Sequence, residues 1–264
     1  MLMAVKNQIR VSSLSIKYAL QREMLNKVSF FSNIFFMIVN NACFIVQWII
    51  LFSIKNNIGG YNLKQVILLW GLAAGTFGVA HFFFKDVFEL SDTINTGKLD
   101  TFLIQPKNVL ISCITASVEV SALGDIIYAF IMLFIYGFSI KNLLLMILFC
   151  ITGGLVMVSM AVIFASLSFW FGRVEMVTNT LNHLMVNFAT YPDGIFKSFV
   201  KVLFYTIIPI GFTVYMPVKV ISNFSGIHLF IIVSITVFLI ALAFFVFYKG
   251  LKRYSSSNLM NARM

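Results

Sequence analysis

Charge is what this sequence has least of. Nine carboxylates and nineteen basic residues are spread over 264 positions, and charged residues make up 11% of the chain against 60% hydrophobic ones. With a mean hydropathy of +0.97, that composition excludes a soluble globular domain. Alternation of apolar and polar residues is also missing. The apolar runs are continuous, which argues against a β-barrel and for helices of about 20 residues crossing a bilayer. Cysteine is scarce: Cys43, Cys113 and Cys150 lie in or beside apolar runs, too scattered for a disulfide framework or a zinc site. His81, His183 and His228 are isolated, and neither HExxH nor GxSxG occurs. The first apolar run starts late with no small-residue cleavage pattern after it, so no cleavable leader is expected. What is present reads as one polytopic all-α membrane domain over 1–264.

A nucleotide site is missing too. Asn95-Thr96-Gly97-Lys98 has the look of the end of a phosphate-binding loop, but Asp92 stands where the earlier glycine belongs, and Leu99 replaces the Ser or Thr after the lysine. No cofactor is therefore expected on this chain, and an ATP-driven process would need its motor on another polypeptide. The net charge of +10 does not point to nucleic acid, because the basic residues sit at span ends, where they set topology and meet lipid headgroups.

The longest polar interruption is 85–108. Asp86, Glu89, Asp92 and Asp100 lie there beside Lys85, Lys98 and Lys107. Val87, Phe88, Leu90 and Ile94 fall near one face of a short helix, with Glu89, Asp92 and Asn95 on the other. Gly97 suits a left-handed helix end. Asp100 would cap a second turn with Leu99 and Ile104 as its staple, Pro106 would stop it, and Asn108 would cap the next helix. The stretch is either an ordinary solvated loop or a stiff amphipathic knuckle on which a soluble motor could push.

In chain order, 1–29 contains a basic amphipathic helix over 5–27. Its stripe is Val5, Ile9, Ile16, Leu20 and Met24, with Lys6, Arg10, Lys17, Arg22 and Lys27 as charge, suited to lying on anionic lipid. Span one covers about 30–52 and carries Asn33, Asn40 and Gln47 at seven-residue spacing, hence on one face. Such groups serve helix-to-helix hydrogen bonds, or face a substrate or a second subunit. Span two (63–84) has a small face of Gly71, Gly75 and Gly78 and ends near His81, a structural histidine or a proton relay. Span three (109–138) is overlong; Glu119 and Asp125 are either acids at bilayer depth or near water, and we take the second. Gly124 permits a break or a close approach. Span four (143–170) has Gly153 and Gly154; Gly172-Arg173-Val174-Glu175 reverses the chain into span five (176–190). Tyr191-Pro192-Asp193-Gly194 is a turn signal.

The apolar stretch 195–221, with Pro209, Pro217, Lys197, Lys201 and Lys219, is a seventh crossing or a re-entrant pair. Six crossings, the last at 227–248, place thirteen basic residues on the inner side: five at the amino-terminal end, Lys85, Lys98, Lys107, Arg173, Lys249, Lys252, Arg253 and Arg263. Lys55, Lys64, Lys141, Lys197, Lys201 and Lys219 are left outside. That matches the positive-inside bias, so 191–223 reads as dipping from the outer face and returning, with 249–264 a cytoplasmic tail.

Gly97-Lys98-Leu99-Asp100, followed by Leu103, Pro106 and Leu110, resembles the cytoplasmic loop of one branch of type-2 ABC transporter permeases. Tyr191-Pro192 with Ile195-Phe196, then Ile208-Pro209, Phe212 and Met216-Pro217, resembles that branch's re-entrant outer segment. Gly250-Leu251-Lys252-Arg253-Tyr254-Ser255 resembles its tail. The ordered set covers nearly the whole chain; Gln105 departs from the basic residue that often precedes the proline, so no salt bridge is expected from it. The resemblance implies a six-span bacterial plasma-membrane exporter subunit with both termini cytoplasmic. It implies two ATPase partners that carry ATP and Mg, and a second permease, identical or a sister chain. It assigns ATPase coupling to Val87, Phe88, Leu90, Asp92, Ile94, Gly97, Leu99, Asp100, Leu103 and Pro106. Asn33, Asn40, Gln47 and Glu119 are the candidate path for an amphipathic or hydrophobic substrate. Competing readings are an ion-coupled carrier with Glu119, Asp125 and His81 as relay, and a scaffold that moves nothing.

Overall fold

The computed structural model describes residues 2–172 and 174–256. Arg173, the side chain of Val5 and the end of the tail, including Arg263, lie outside the described residues. Apart from one isolated bridge between Ile58 and Tyr61, the secondary structure described is helical.

Helix α1 (Leu2–Glu23) precedes α2 (Lys27–Ile54) and α3 (Leu63–Phe84). The bounds of α3 are those expected of span two, because Asn62 and Gln65 form a reciprocal capping box at its start. A 3₁₀ turn (Lys85–Glu89) leads to α4 (Leu90–Asn95) and α5 (Asp100–Leu103). The expected third span is not one helix. It is α6 (Val109–Ile114), a non-helical stretch 115–121, and α7 (Ala122–Gly137). The break is held open by polar contacts: Asp86 accepts hydrogen bonds from Ser117 N and Oγ, both 2.6 Å. The chain goes on through α8 (Ile140–Ser166), α9 (Ser168–Phe171) and α10 (Glu175–Ala189). Then come α11 (Ser198–Thr206), a π-helical turn (Gly211–Tyr215), α12 (Met216–Ser222) and α13 (Gly226–Leu251).

Four of these helical stretches are long and apolar enough to cross a membrane, and five if the pair Ser198–Thr206 and Gly211–Ser222 counts as one. The protein is a multi-pass membrane protein. That pair is bent by 86° at Pro209, which cannot supply the helical N–H. The two ends of the bent segment lie close together, with Lys219 Nζ 3.3 Å from Asp193. Pro192 precedes the short turn Asp193–Ile195, and Pro217 is tolerated in the first turn of α12.

Helices α3 and α8 are largely buried, while α2 and α13 expose most of their surfaces. The small face of α3 is a contact surface, as its glycines suggested. A Cβ on Gly71 would meet Met132 at 2.9 Å, and one on Gly78 would meet Ile126 at 2.8 Å and the Ala122 carbonyl at 2.9 Å. Small residues let backbones approach where apolar burial supplies little drive between helices in lipid. Gly124 also serves close approach, to Ile34 and Met37 on α2.

Helix α1 docks through polar groups at its start and through only part of its apolar stripe. Gln8 donates to Ser112 at 3.3 Å and accepts from Asn108 N at 2.9 Å, and Ile9 and Met24 are exposed. Ile16 and Leu20 pack beside a small cluster of Ala19, Phe82, Val118 and Ala122.

Gly78→Val is expected to cost about 1–3 kcal/mol by overpacking. Thermal unfolding in detergent checks this against Gly226→Ala, where a Cβ meets nothing within 4 Å; that control should unfold at an unchanged or slightly higher temperature.

Candidate functional site

Two features stand out: a cavity within the bundle and the anchored segment at one end of it. The cavity has a volume of about 410 Å³, within the range of small-molecule sites. Helix α2 supplies Asn40, Asn41, Phe44, Gln47 and Trp48, α3 supplies Trp70 and Thr76, and α7 supplies Asp125. The carboxy-terminal half of α10 and the π-helical turn close it. π-Helical turns are rare and tend to mark functional positions; here Thr213 and Val214 from that turn face the space.

The expected path residues separate. Asn40 and Gln47 line the cavity; Asn33 and Glu119 do not. Asn33, Asn40 and Gln47 are exposed along α2, so they do not bond to a neighbouring helix within this chain. The residue that does is Asn41, next to the stripe: its Nδ2 donates to Asp125 Oδ1 at 2.6 Å. Sequence spacing pointed to the stripe and missed Asn41, whose partner lies 84 positions away. A second polar stripe went unnoticed. Glu175, Asn179, His183 and Asn187 recur every four residues on α10, and all are exposed.

Glu119 sits at the break between α6 and α7 and is partly exposed, whereas Asp125, also expected near water, is buried inside the bundle because it packs beside Asn41 of α2. Lys85 Nζ lies 2.9 Å from Glu119 Oε2, and Ser121 donates to Glu119 Oε1 at 3.1 Å. Glu119 thus has a partner for each of its oxygens. His81 is sandwiched between Phe77 and Phe88, each 3.9 Å away between ring centres. The structure thus leaves Glu119, His81 and Asp125 with separate partners rather than in one chain of hydrogen bonds.

The polar segment 85–108 is fastened to the body. Val87, Leu90, Ile94 and Leu99 are buried, and Phe88 packs against the core. Ser91 and Ser168 share a 2.7 Å hydrogen bond, and Asn95 donates to the Gly172 carbonyl at 3.4 Å. Gly97 has φ +78°, the left-handed conformation that its position suggested. Lys98 pairs with Asp92 at 2.9 Å. Asn108 caps α6, accepting from Ile111 N at 3.0 Å. Asp100 does not cap α5, and no side-chain cap is made there. Its two oxygens instead accept from Tyr254 at 2.8 Å and Ser256 at 2.6 Å, tying the tail to the loop. Ile104 is no staple: it is 86% exposed. Of the residues expected to couple, Leu103 and Pro106 are exposed, and Asp92, Gly97 and Asp100 are half-buried.

A model of the ABC-2 family of transporter proteins matches residues 37–258, most of the chain. The chain belongs to the ABC-2 transporter family. It is a permease subunit of an ABC transporter, and permeases of this family generally work with ATPase subunits. No curated protein and no solved structure matches this permease.

Glu119→Gln is expected to cost under about 1 kcal/mol, since both partners are over a third exposed. Thermal unfolding of wild type and Glu119→Gln in detergent checks this, and only a small shift of the midpoint is expected.

Proposed function

We propose that this permease is the export channel of an ATP-binding-cassette transporter of the plasma membrane of a bacterium. It would move an amphipathic or hydrophobic substrate out of the cytoplasm through the cavity beside α2 and α10. The observation that carries this reading is a pair of exposed polar stripes, of which Asn40, Gln47 and Asn187 line the cavity. Asn33, Asn40 and Gln47 on one helix and Asn179, His183 and Asn187 on another are exposed at depths where lipid offers no hydrogen bond. They suit a second permease, identical or a sister chain, with an aqueous path between the two.

Six crossings, by α2, α3, α6–α7, α8, α10 and α13, place the basic-rich loops and both termini in the cytoplasm. They leave the bent segment 191–223 as a re-entrant hairpin on the outer side. Helix α1 would rest on anionic lipid through Lys6, Arg10 and Lys17. Two ATPase subunits, holding ATP and Mg, would dock on the segment 85–108. Its buried face (Val87, Leu90, Ile94, Leu99) transmits force to the bundle. Its outward face, Leu103, Ile104 and Pro106, offers the apolar surface for docking. The competing carrier reading needs a relay among Glu119, His81 and Asp125, whose partners are separate.

Cross-linking tests the docking. A cysteine at Ile104 should cross-link to a co-purifying ATPase, and one at the buried Leu90 should not. Ile104→Asp should lower substrate-stimulated ATP hydrolysis about tenfold, as for loss of an interface hot spot. Absence of any ATPase from the purified complex would overturn the proposal.

A further inference from the structure

Polar side chains inside this bundle mostly satisfy themselves. Ser159 and Ser166 donate one turn back along α8, and Thr236 does so along α13. The cavity wall departs from that pattern three times. Trp70 Nε1, Thr76 Oγ1 and Asp125 Oδ2 are buried without a hydrogen-bond partner, and all three residues line the same space. Asp125 is 3% exposed, and Asn41 engages only its other oxygen. An acid left half-paired in a low dielectric is costlier than an unpaired amide or hydroxyl, so its retention at a cavity points to an occupant. Tyr128 and Asn182 also carry buried unpartnered atoms, but neither lines the cavity.

The rest of the wall narrows the occupant's chemistry. Phe44 and Trp70 stack with ring centres 5.6 Å apart and planes at 20°. Trp48 and Tyr191 meet edge to face at 5.8 Å. Among the described residues no lysine or arginine lines the space, and Asp125 is its only acid. Aromatic faces attract cations through their quadrupole, most strongly where water is excluded. An anion would meet a carboxylate with no compensating charge. Met37, Met157 and Met185 add soft, adaptable surface for an apolar body of variable shape.

We infer that the cavity takes a cationic amphiphile, a protonated amine on an aromatic or aliphatic body, with its ammonium N–H on Asp125 Oδ2 and its charge against the Trp70 and Phe44 rings. This rests on the cavity being the substrate path and names the substrate class for it. Trp70 Nε1–H remains as a donor for a carbonyl or sulfonyl oxygen of the same ligand.

The test uses the permease with its ATPase partner in nanodiscs and dansylcadaverine as probe, a dansyl body on a primary amine. Energy transfer from Trp48 and Trp70 reports binding. The comparison ligand is its N-acetyl derivative, the same body without charge. Wild type should bind the amine about tenfold or more tightly than the acetylated form. Asp125→Asn, which still accepts from Asn41, should erase that preference, and continued binding of the acetylated probe by this variant shows that the cavity is intact. Asp125→Glu should keep the preference. Equal affinities in wild type, no binding of either probe, or a preference that survives in Asp125→Asn would each overturn the inference. ATP hydrolysis by the same preparation separates the two readings. Lost cation preference with a functional ATPase partner refutes the substrate class alone. A cation preference without any ATPase partner refutes the export reading alone.

Discussion

Inside a bilayer a polar group must find its partner in protein, in a ligand or in a water-filled space, because lipid offers none. That constraint sorts the polar residues of this chain. Ser159, Ser166 and Thr236 donate to carbonyls of their own helices. Asn41 and Asp125 meet across two helices. Of those left over, Trp70, Thr76 and Asp125 gather at one cavity, and others lie along two exposed stripes. The packing follows from the same economy: α3 can sit centrally because its glycines bring it close to α7 and α8, without needing polar bonds to do so.

The second device is mechanical. Burial of Val87, Leu90, Ile94 and Leu99, the shared hydrogen bond of Ser91 with Ser168 and the grip of Asp100 on Tyr254 and Ser256 join the segment 85–108 to the ends of α8 and α13. The segment is thus packed and hydrogen-bonded against the ends of both long helices. The Lys85–Glu119 and Asp86–Ser117 contacts extend the same linkage to the base of α7, which carries Asp125. A push at one end of the bundle thus has a continuous packed route to the cavity wall.

Local chemistry was legible in the sequence, and long-range pairing was not. The bounds of α3, the Asn108 cap and the left-handed Gly97 depend on a few neighbouring residues, and each stands as the sequence suggested. The break between α6 and α7 was hidden, since the composition of 109–138 suits one long helix as well as two pieces; the contact that opens it reaches back 31 positions to Asp86. Asp100 misled for the same reason: local capping logic lost to partners 154 and 156 residues away. Heptad spacing on α2 found Asn40 and Gln47 but not Asn41, and nothing local revealed that Asp125 would keep one oxygen free.

The central claim is that the cavity beside α2 and α10 is a path whose access to water is controlled by the partner ATPase. Single cysteines at Asn40, Gln47 and Asn187, placed in a chain lacking Cys43, Cys113 and Cys150, can be probed with a membrane-impermeant maleimide before and after vanadate trapping of the ATPase. The account predicts labelling at these positions that changes on trapping, while a cysteine at Phe230 on α13 stays unlabelled. Positions that are never labelled, or labelled identically in both states, would contradict it.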